Sequence, residues 1–164
     1  MEENTFDIIV IGAGPGGYVA AIRGAQLGLK VAIVEREHMG GICLNWGCIP
    51  TKAMLRSSEV YHLLKNSKKY GVSADNVSYD LDAVVARSRE IGSKLSNGIT
   101  HLLKKNNIIS FLGSAYLVGN SEVEVTVKTE KVKLFSENIV LATGARAREI
   151  KGFEADEGNI WTYK

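Results

Sequence analysis

Apolar residues follow three different rhythms along this chain, and each rhythm predicts a different kind of element. Residues 6–11, Phe-Asp-Ile-Ile-Val-Ile, form a short β-branched run of the kind buried on both faces of a sheet. Lys30 to Val34 is a second such run, and Asn138 to Leu141 returns as a third. Ile108 to Leu112 predicts another strand, leading into Gly113-Ser114-Ala115. Strict alternation comes later. Val123, Val125 and Val127 alternate with polar residues, as do Val132 and Leu134 after a Lys-Thr-Glu turn, which predicts the antiparallel strands of a small meander. Helical spacing fills most of the rest. Tyr18 to Leu27 is alanine-rich and stopped by Gly28, and Thr51 to Lys69 predicts a helix whose Arg56, Lys65, Lys68 and Lys69 make a solvated face. Leu81, Val84, Ser88, Ile91, Leu95, Ile99 and Leu102 recur every three or four residues, as on one long amphipathic helix. Gly71 to Ser78 predicts a loop, and the last twenty residues a surface connection in which Ile160-Trp161 is a candidate short strand.

Strands alternating with helices predict an α/β fold, a Rossmann-like parallel sheet carrying the small antiparallel β-meander. Composition changes this picture little. The 164 residues suffice for one domain with a real core, and 45% hydrophobic with 23% charged residues is ordinary for a folded protein. A net charge of +2 is too small to argue for nucleic acid or an anionic membrane surface as partner. Met1-Glu2-Glu3-Asn4 lacks the basic start of a signal peptide, and no apolar run approaches the length of a bilayer span, so the expected location is cytoplasmic.

The first strand runs into Gly12-Ala13-Gly14-Pro15-Gly16-Gly17, the glycine fingerprint of a strand–turn–helix dinucleotide site. The first glycine allows the tight turn, the second lets a pyrophosphate approach the backbone, and the third lets the helix pack closely on the strand. Such a triplet alone is weak evidence. Here a strand precedes it, a helix and second strand follow, and Glu35 stands 18 residues beyond Gly17. A carboxylate at that place can accept both hydroxyls of an adenosine ribose and would repel a 2′-phosphate.

The only two cysteines, Cys43 and Cys48, have four residues between them. Sulfurs that close can form a small disulfide ring if the backbone bends to bring their Cβ atoms together. Gly47 supplies freedom for the bend, and Pro50 favours the first turn of a helix. A helix starting there would aim unpaired N–H groups at Cys48 and stabilise its thiolate, with Lys52 adding a positive charge one turn in. The alternative is an inert staple, but so small a ring gains little loop entropy. A metal site would need more ligands than two cysteines and His38. The pair reads as a redox switch, whereas His62 and His101 read as exposed or satisfied rather than catalytic.

Together, the glycine turn, Glu35 and the wording Cys-Leu-Asn-Trp-Gly-Cys-Ile-Pro-Thr-Lys resemble the pyridine nucleotide–disulfide oxidoreductases. The closest wording is that of the branch acting on dihydrolipoyl groups rather than on glutathione. The resemblance runs from Ile8 to Gly144 and beyond. Ile42 stands where some relatives carry threonine, Trp46 where many have valine and Ala147 where many have proline; none of these removes a group that does chemistry.

The resemblance implies that the dinucleotide at Gly12, Gly14, Gly16 and Gly17 is FAD, with Glu35 on its adenosine ribose and Arg36 also among the contacting residues. It implies that the Gly40–Cys43 backbone, Gly41 included, lies along the pyrophosphate and ribityl chain. Ala115 would contact the adenosine end through its main chain, and Thr143, Gly144 and Ala145 would line the cleft. Cys48 would be the flavin-side thiol, Cys43 the thiol that exchanges with substrate, and Lys52 the cation near the reactive flavin nitrogen. A flavin suits this neighbour, because it exchanges two electrons both with thiols and with a nicotinamide.

The implied activity is oxidation of dihydrolipoyl groups, as on a 2-oxo acid dehydrogenase complex, with NAD+ as final acceptor. The implied parent is a longer homodimer whose missing domains bind NAD and supply a His–Glu pair. On that reading residues 1–150 are the first segment of the FAD-binding domain and residues 151–164 a connection toward the NAD-binding domain. The 164-residue chain alone would then be inactive and hold FAD poorly. Two other readings stay open: another FAD/NAD(P) disulfide reductase of the family, or a stand-alone flavin-binding redox module.

Overall fold

The β-branched runs form the centre of the fold, seen in a computed structural model that describes residues 4–156 and 158–164. Residues Met1–Glu3 and Glu157 lie outside the described residues. Strands β1 (Ile8–Ile11), β2 (Val31–Glu35), β3 (Ile109–Leu112) and β7 (Ile139–Leu141) make one sheet in the order β3-β2-β1-β7, every pairing parallel. Each strand is three to five residues long. Burial on both faces therefore matters more than ladder length. Ile9, Val10, Ile33 and Val34 are essentially inaccessible, and each such side chain contributes about 1.5–3 kcal/mol.

Successive side chains point to opposite faces, and the two faces meet different partners. Val10, Val31 and Ile33 pack with Ala21 of α1 (Pro15–Gln26), Leu103 of α4 (Leu81–Lys105) and Ile108. Ile9, Ile11, Ala32 and Val34 pack with Phe6 against Val123, Val125 and Leu134. Those last three belong to an antiparallel sheet of β4 (Ser114–Leu117), β5 (Glu122–Val127) and β6 (Glu130–Phe135), ordered β4-β5-β6, in which Val125 stands opposite Ala115 and Val132. Helices, parallel sheet and meander thus form three layers, the α/β architecture expected from the sequence.

Several details differ from the sequence expectations. A short helix, α2 (Gly41–Asn45), precedes α3 (Cys48–Lys65), which starts at the second cysteine rather than at Thr51. It also stops earlier, where the Asn66 side chain donates to His62 O, and Ser67–Tyr70 follow as a separate 3₁₀ turn. Helix α4 buries Ser88, Gly92 and Leu103, whereas Leu81, Leu95 and Leu102 of the expected stripe stay exposed. Small residues let that face approach its neighbours closely, so it turns inward in their place. Ile160-Trp161 is not a strand: Asp156 Oδ1 accepts from the N–H groups of Gly158, Asn159 and Ile160, a turn held by a carboxylate, and Trp161 is exposed. Among the described residues no helix is long and apolar enough to cross a membrane.

Candidate dinucleotide and dithiol site

In a sheet of this order, strand direction leaves a crevice beyond the carboxyl ends of the strands, at the point where connections leave toward opposite edges. Gly12, Glu35 and Ala142 all stand at that edge, at or just past the ends of β1, β2 and β7. Gly12 adopts φ +101°, donates its N–H to Val34 O at 2.7 Å, and has Ala142 O 2.3 Å from where a Cβ would sit. A Cβ on Gly17 would fall 1.8 Å from Gly12 O. No side chain fits at either place, so α1 starts pressed against the turn. Gly14 and Gly16 are the opposite case, with nothing within 4 Å of their Cβ positions. Gly14 is the N-cap of α1 and offers no side-chain cap, which leaves the first-turn N–H groups open to an anion from outside.

Glu35 is tied into this turn. Its Oε2 accepts from Ala13 N–H at 2.7 Å and its Oε1 from Glu37 N–H at 2.9 Å. An ionised carboxylate offers about four acceptor positions, so roughly two stay available for hydroxyl donors. Arg36 follows as an exposed side chain. Gly40 donates to Ala13 O at 2.8 Å, and a Cβ on Gly41 would come 2.8 Å from Gly14 Cα, so the two glycine loops touch. Gly113 N–H donates to Glu35 O at 2.8 Å, which sets the half-buried Ala115 just beyond the same edge. Thr143 Cα lies 3.1 Å from the Cβ position of Gly12, whereas Gly144 and Ala145 continue outward as exposed chain.

The cysteines meet across a tight reversal. Cys43 is in the middle of α2, Cys48 is the first residue of α3, and only Trp46 and Gly47 connect the helices. Both connecting N–H groups donate to Ile42 O, at 2.9 and 2.7 Å, which folds Cys48 back over Cys43. Both are free thiols in this structure, with the Cys43 side chain hydrogen-bonded to Cys48. Burial pushes the Cys43 thiol above its ordinary range; the hydrogen bond and the Cys48 charge push it further, against a downward pull from Lys52 and the Cys48 backbone N–H. Cys43 is half-buried and Cys48 exposed, and Lys52 projects from the next turn of α3.

Of the histidines, His38 packs edge-on against Trp46 with ring centres 5.1 Å apart, His62 lies beside the Asn66 amide at 3.4 Å, and His101 is exposed on α4. Among the described residues no three His, Cys, Asp or Glu side chains gather as a metal site. A pocket of about 320 Å³ opens between Trp46, His38 and the Arg89–Asn97 part of α4. None of the residues expected at the dinucleotide lines it. Sequence reasoning missed the α4 residues that touch α2 and the loop before it, Arg89, Gly92 and Ser96. Their spacing of three and four was the available clue, obscured because none of the three is apolar.

The sequence profile described as pyridine nucleotide-disulphide oxidoreductase matches residues 6–163. Dihydrolipoyl dehydrogenase of Zymomonas mobilis is 54% identical over 160 residues, covering 96% of this chain and 34% of that protein. Dihydrolipoyl dehydrogenase of Chlorobaculum tepidum is 49% identical over 158 residues, again covering 96% and 34%. The chain therefore spans about a third of the length of the curated relatives it matches. Among solved structures, the Cu(II) complex of the HOCl-induced flavoprotein disulfide reductase RclA from Escherichia coli superposes with a TM-score of 0.76 at 26% identity, covering 90% of this chain and 30% of that one.

Proposed function

Because this chain belongs to the pyridine nucleotide-disulphide oxidoreductases, we propose that it is the FAD- and dithiol-bearing part of an enzyme that oxidises dihydrolipoyl groups with NAD+ as final acceptor. The observation that carries the proposal is the contact between Cys43 and Cys48 across the α2–α3 bend, beside a glycine turn shaped for a dinucleotide. The names of the relatives support the dihydrolipoyl substrate.

The residues fit FAD. Gly14 and Gly16 leave an open face at a helix N-terminus for the pyrophosphate, the touching loop at Gly41 extends that face toward Cys43, and Glu35 keeps acceptor positions for ribose hydroxyls. Arg36, Ala115, Thr143, Gly144 and Ala145 complete the set that would hold it. When bound, FAD supplies a two-electron acceptor for the dithiol and a hydride donor for NAD+.

The chain's own part is thiol–disulfide exchange. In the oxidised form a substrate thiolate attacks the Cys43 sulfur, the Cys43–Cys48 bond breaks, and a mixed disulfide forms on Cys43. Cys48 leaves as a thiolate at the N-terminal end of α3, the end of a helix that favours negative charge. The second substrate thiol then attacks the substrate sulfur of the mixed disulfide, releasing the cyclic lipoyl disulfide and the Cys43 thiol. Two electrons and one proton have passed from substrate to the pair, the other proton having left when the attacking substrate thiolate formed. Burial and the charge of Cys48 keep Cys43 protonated at this stage, so the negative charge stays on Cys48. Cys48 is also the exposed sulfur, which leaves it open to the flavin.

The parent of this reading is a cytoplasmic homodimer serving a 2-oxo acid dehydrogenase complex, with residues 1–150 in the FAD-binding domain and residues 151–164 leading to the NAD-binding domain. Exposed Leu55, Leu63 and Leu64 on α3 and Leu95 and Leu102 on α4 support further protein covering these helices. A second reading, a disulfide reductase with another substrate, draws on the shared fold with RclA, at 26% identity against 54% for the first. Thiol counting on the full-length protein tests the shared premise. One equivalent of dihydrolipoamide should release two thiols per oxidised chain, and failure to release them refutes the substrate assignment.

A further inference from the structure

Helix α2 is five residues long, too short to hold its own geometry, yet it carries Cys43. What holds it is α4, more than forty residues away in sequence, through three positions spaced three and four apart. Arg89 Nη1 donates to Asn45 O at 3.2 Å. Gly92 lies so near that a Cβ there would come 2.7 Å from Leu44 O. Ser96 Oγ donates to Met39 O at 2.7 Å, and the Asn45 amide donates to the same carbonyl at 3.1 Å and to Gly41 O at 2.8 Å. One face of α4 therefore grips α2 at its last turn and its end, and the loop just before its start. A fourth contact, Arg87 Nη1 to Ala53 O at 2.9 Å, fixes α3 to the same helix.

We propose that Ser96 and Gly92 are positioning residues that set the redox equilibrium of the Cys43–Cys48 pair by holding α2 in register with the start of α3. The inference rests on the reading of the two cysteines as a redox pair. How readily two thiols close to a disulfide depends on how far they are already confined near bonding geometry, which acts as an effective concentration. The grip is made in the dithiol form, with the two side chains already in contact. Loosening it leaves the chemistry of both sulfurs intact but lowers their effective concentration, so the disulfide becomes easier to reduce.

The test is the equilibrium of the full-length protein with glutathione: protein dithiol and one glutathione disulfide give the protein disulfide and two glutathione thiols. Alkylation of the remaining thiols, read by mass, gives the equilibrium constant. Ser96→Ala removes one donor from Met39 O while Asn45 still satisfies it, so the variant folds. Its constant should fall roughly three- to tenfold, the range expected for one hydrogen bond. Ser96→Thr keeps the hydroxyl and should restore the wild-type value. Ser93→Ala, an exposed position on the same helix, should leave it unchanged. A role in general stability alone would lower the unfolding midpoint of Ser96→Ala without moving the constant, and that result would overturn the inference. An equal fall in Ser93→Ala would overturn it too. A wild type that forms no Cys43–Cys48 disulfide at any glutathione ratio would refute the redox reading itself and the inference with it.

Discussion

The backbone N–H of Ala13 donates to Glu35 Oε2 at 2.7 Å, so the carboxylate that ends β2 holds the glycine turn that follows β1. The same side chain is thus both part of the turn's support and a candidate ribose acceptor. Glu35→Ala removes a charged acceptor, worth about 1.5–3 kcal/mol per bond. FAD affinity of the full-length apoprotein should fall at least about tenfold, measured by quenching of flavin fluorescence on binding. Unchanged affinity would remove Glu35 from the site.

Gly14 and Gly17 separate the two uses of the glycine turn. Gly17→Ala puts a methyl 1.8 Å from Gly12 O, a backbone atom that cannot swing away. Overpacking of this kind costs about 1–3 kcal/mol or more, so thermal stability of the apoprotein should drop clearly. Gly14→Ala meets nothing within 4 Å and should cost no more than about 1 kcal/mol, yet still weaken FAD binding by occupying the face meant for the pyrophosphate. Equal effects of the two variants on apoprotein stability would contradict this division.

Two of the three influences that raise the Cys43 thiol come from Cys48. Cys48→Ala should therefore move the Cys43 titration down toward its ordinary range, leaving only burial to oppose Lys52. Thiolate absorbance followed against pH checks this, and an unmoved titration would contradict it. The sign for stability also follows. A thiol raised on folding keeps its proton where the unfolded chain would release it, so its contribution is complete below about pH 9.0, the ordinary value, and is lost as pH rises through the folded value. The reduced protein should lose stability above about pH 9.0, and less so in Cys48→Ala.

What was legible in the sequence was local. The path from Ile8 through Gly17 to Glu35 is one strand–turn–helix–strand unit, and its glycines, its stop at Gly28 and its acid all act within a few residues of where they stand. The Cys43–Cys48 contact was legible for the same reason, since four intervening residues with a glycine permit a tight reversal. Two short elements that lack a β-branched run were not. The four residues of β4 and five of α2 carry too little pattern to stand out.

The grip of α4 on α2 was hidden for a different reason. Apolar periodicity assigned Leu95 and Leu102 to the inward face, but close approach of two backbones requires small residues, and Gly92 and Ser96 supply it. Sequence order also gave no hint that Cys43 would be the more covered sulfur.

The most direct test of the central claim is anaerobic reduction of NAD+ by dihydrolipoamide on the full-length flavoprotein, followed by NADH absorbance in wild type, Cys43→Ser and Cys48→Ser. The account predicts steady NADH formation in the wild type and a loss of at least about a thousandfold in each variant, because both sulfurs take part in the exchange. NADH formation that survives loss of either cysteine would contradict it.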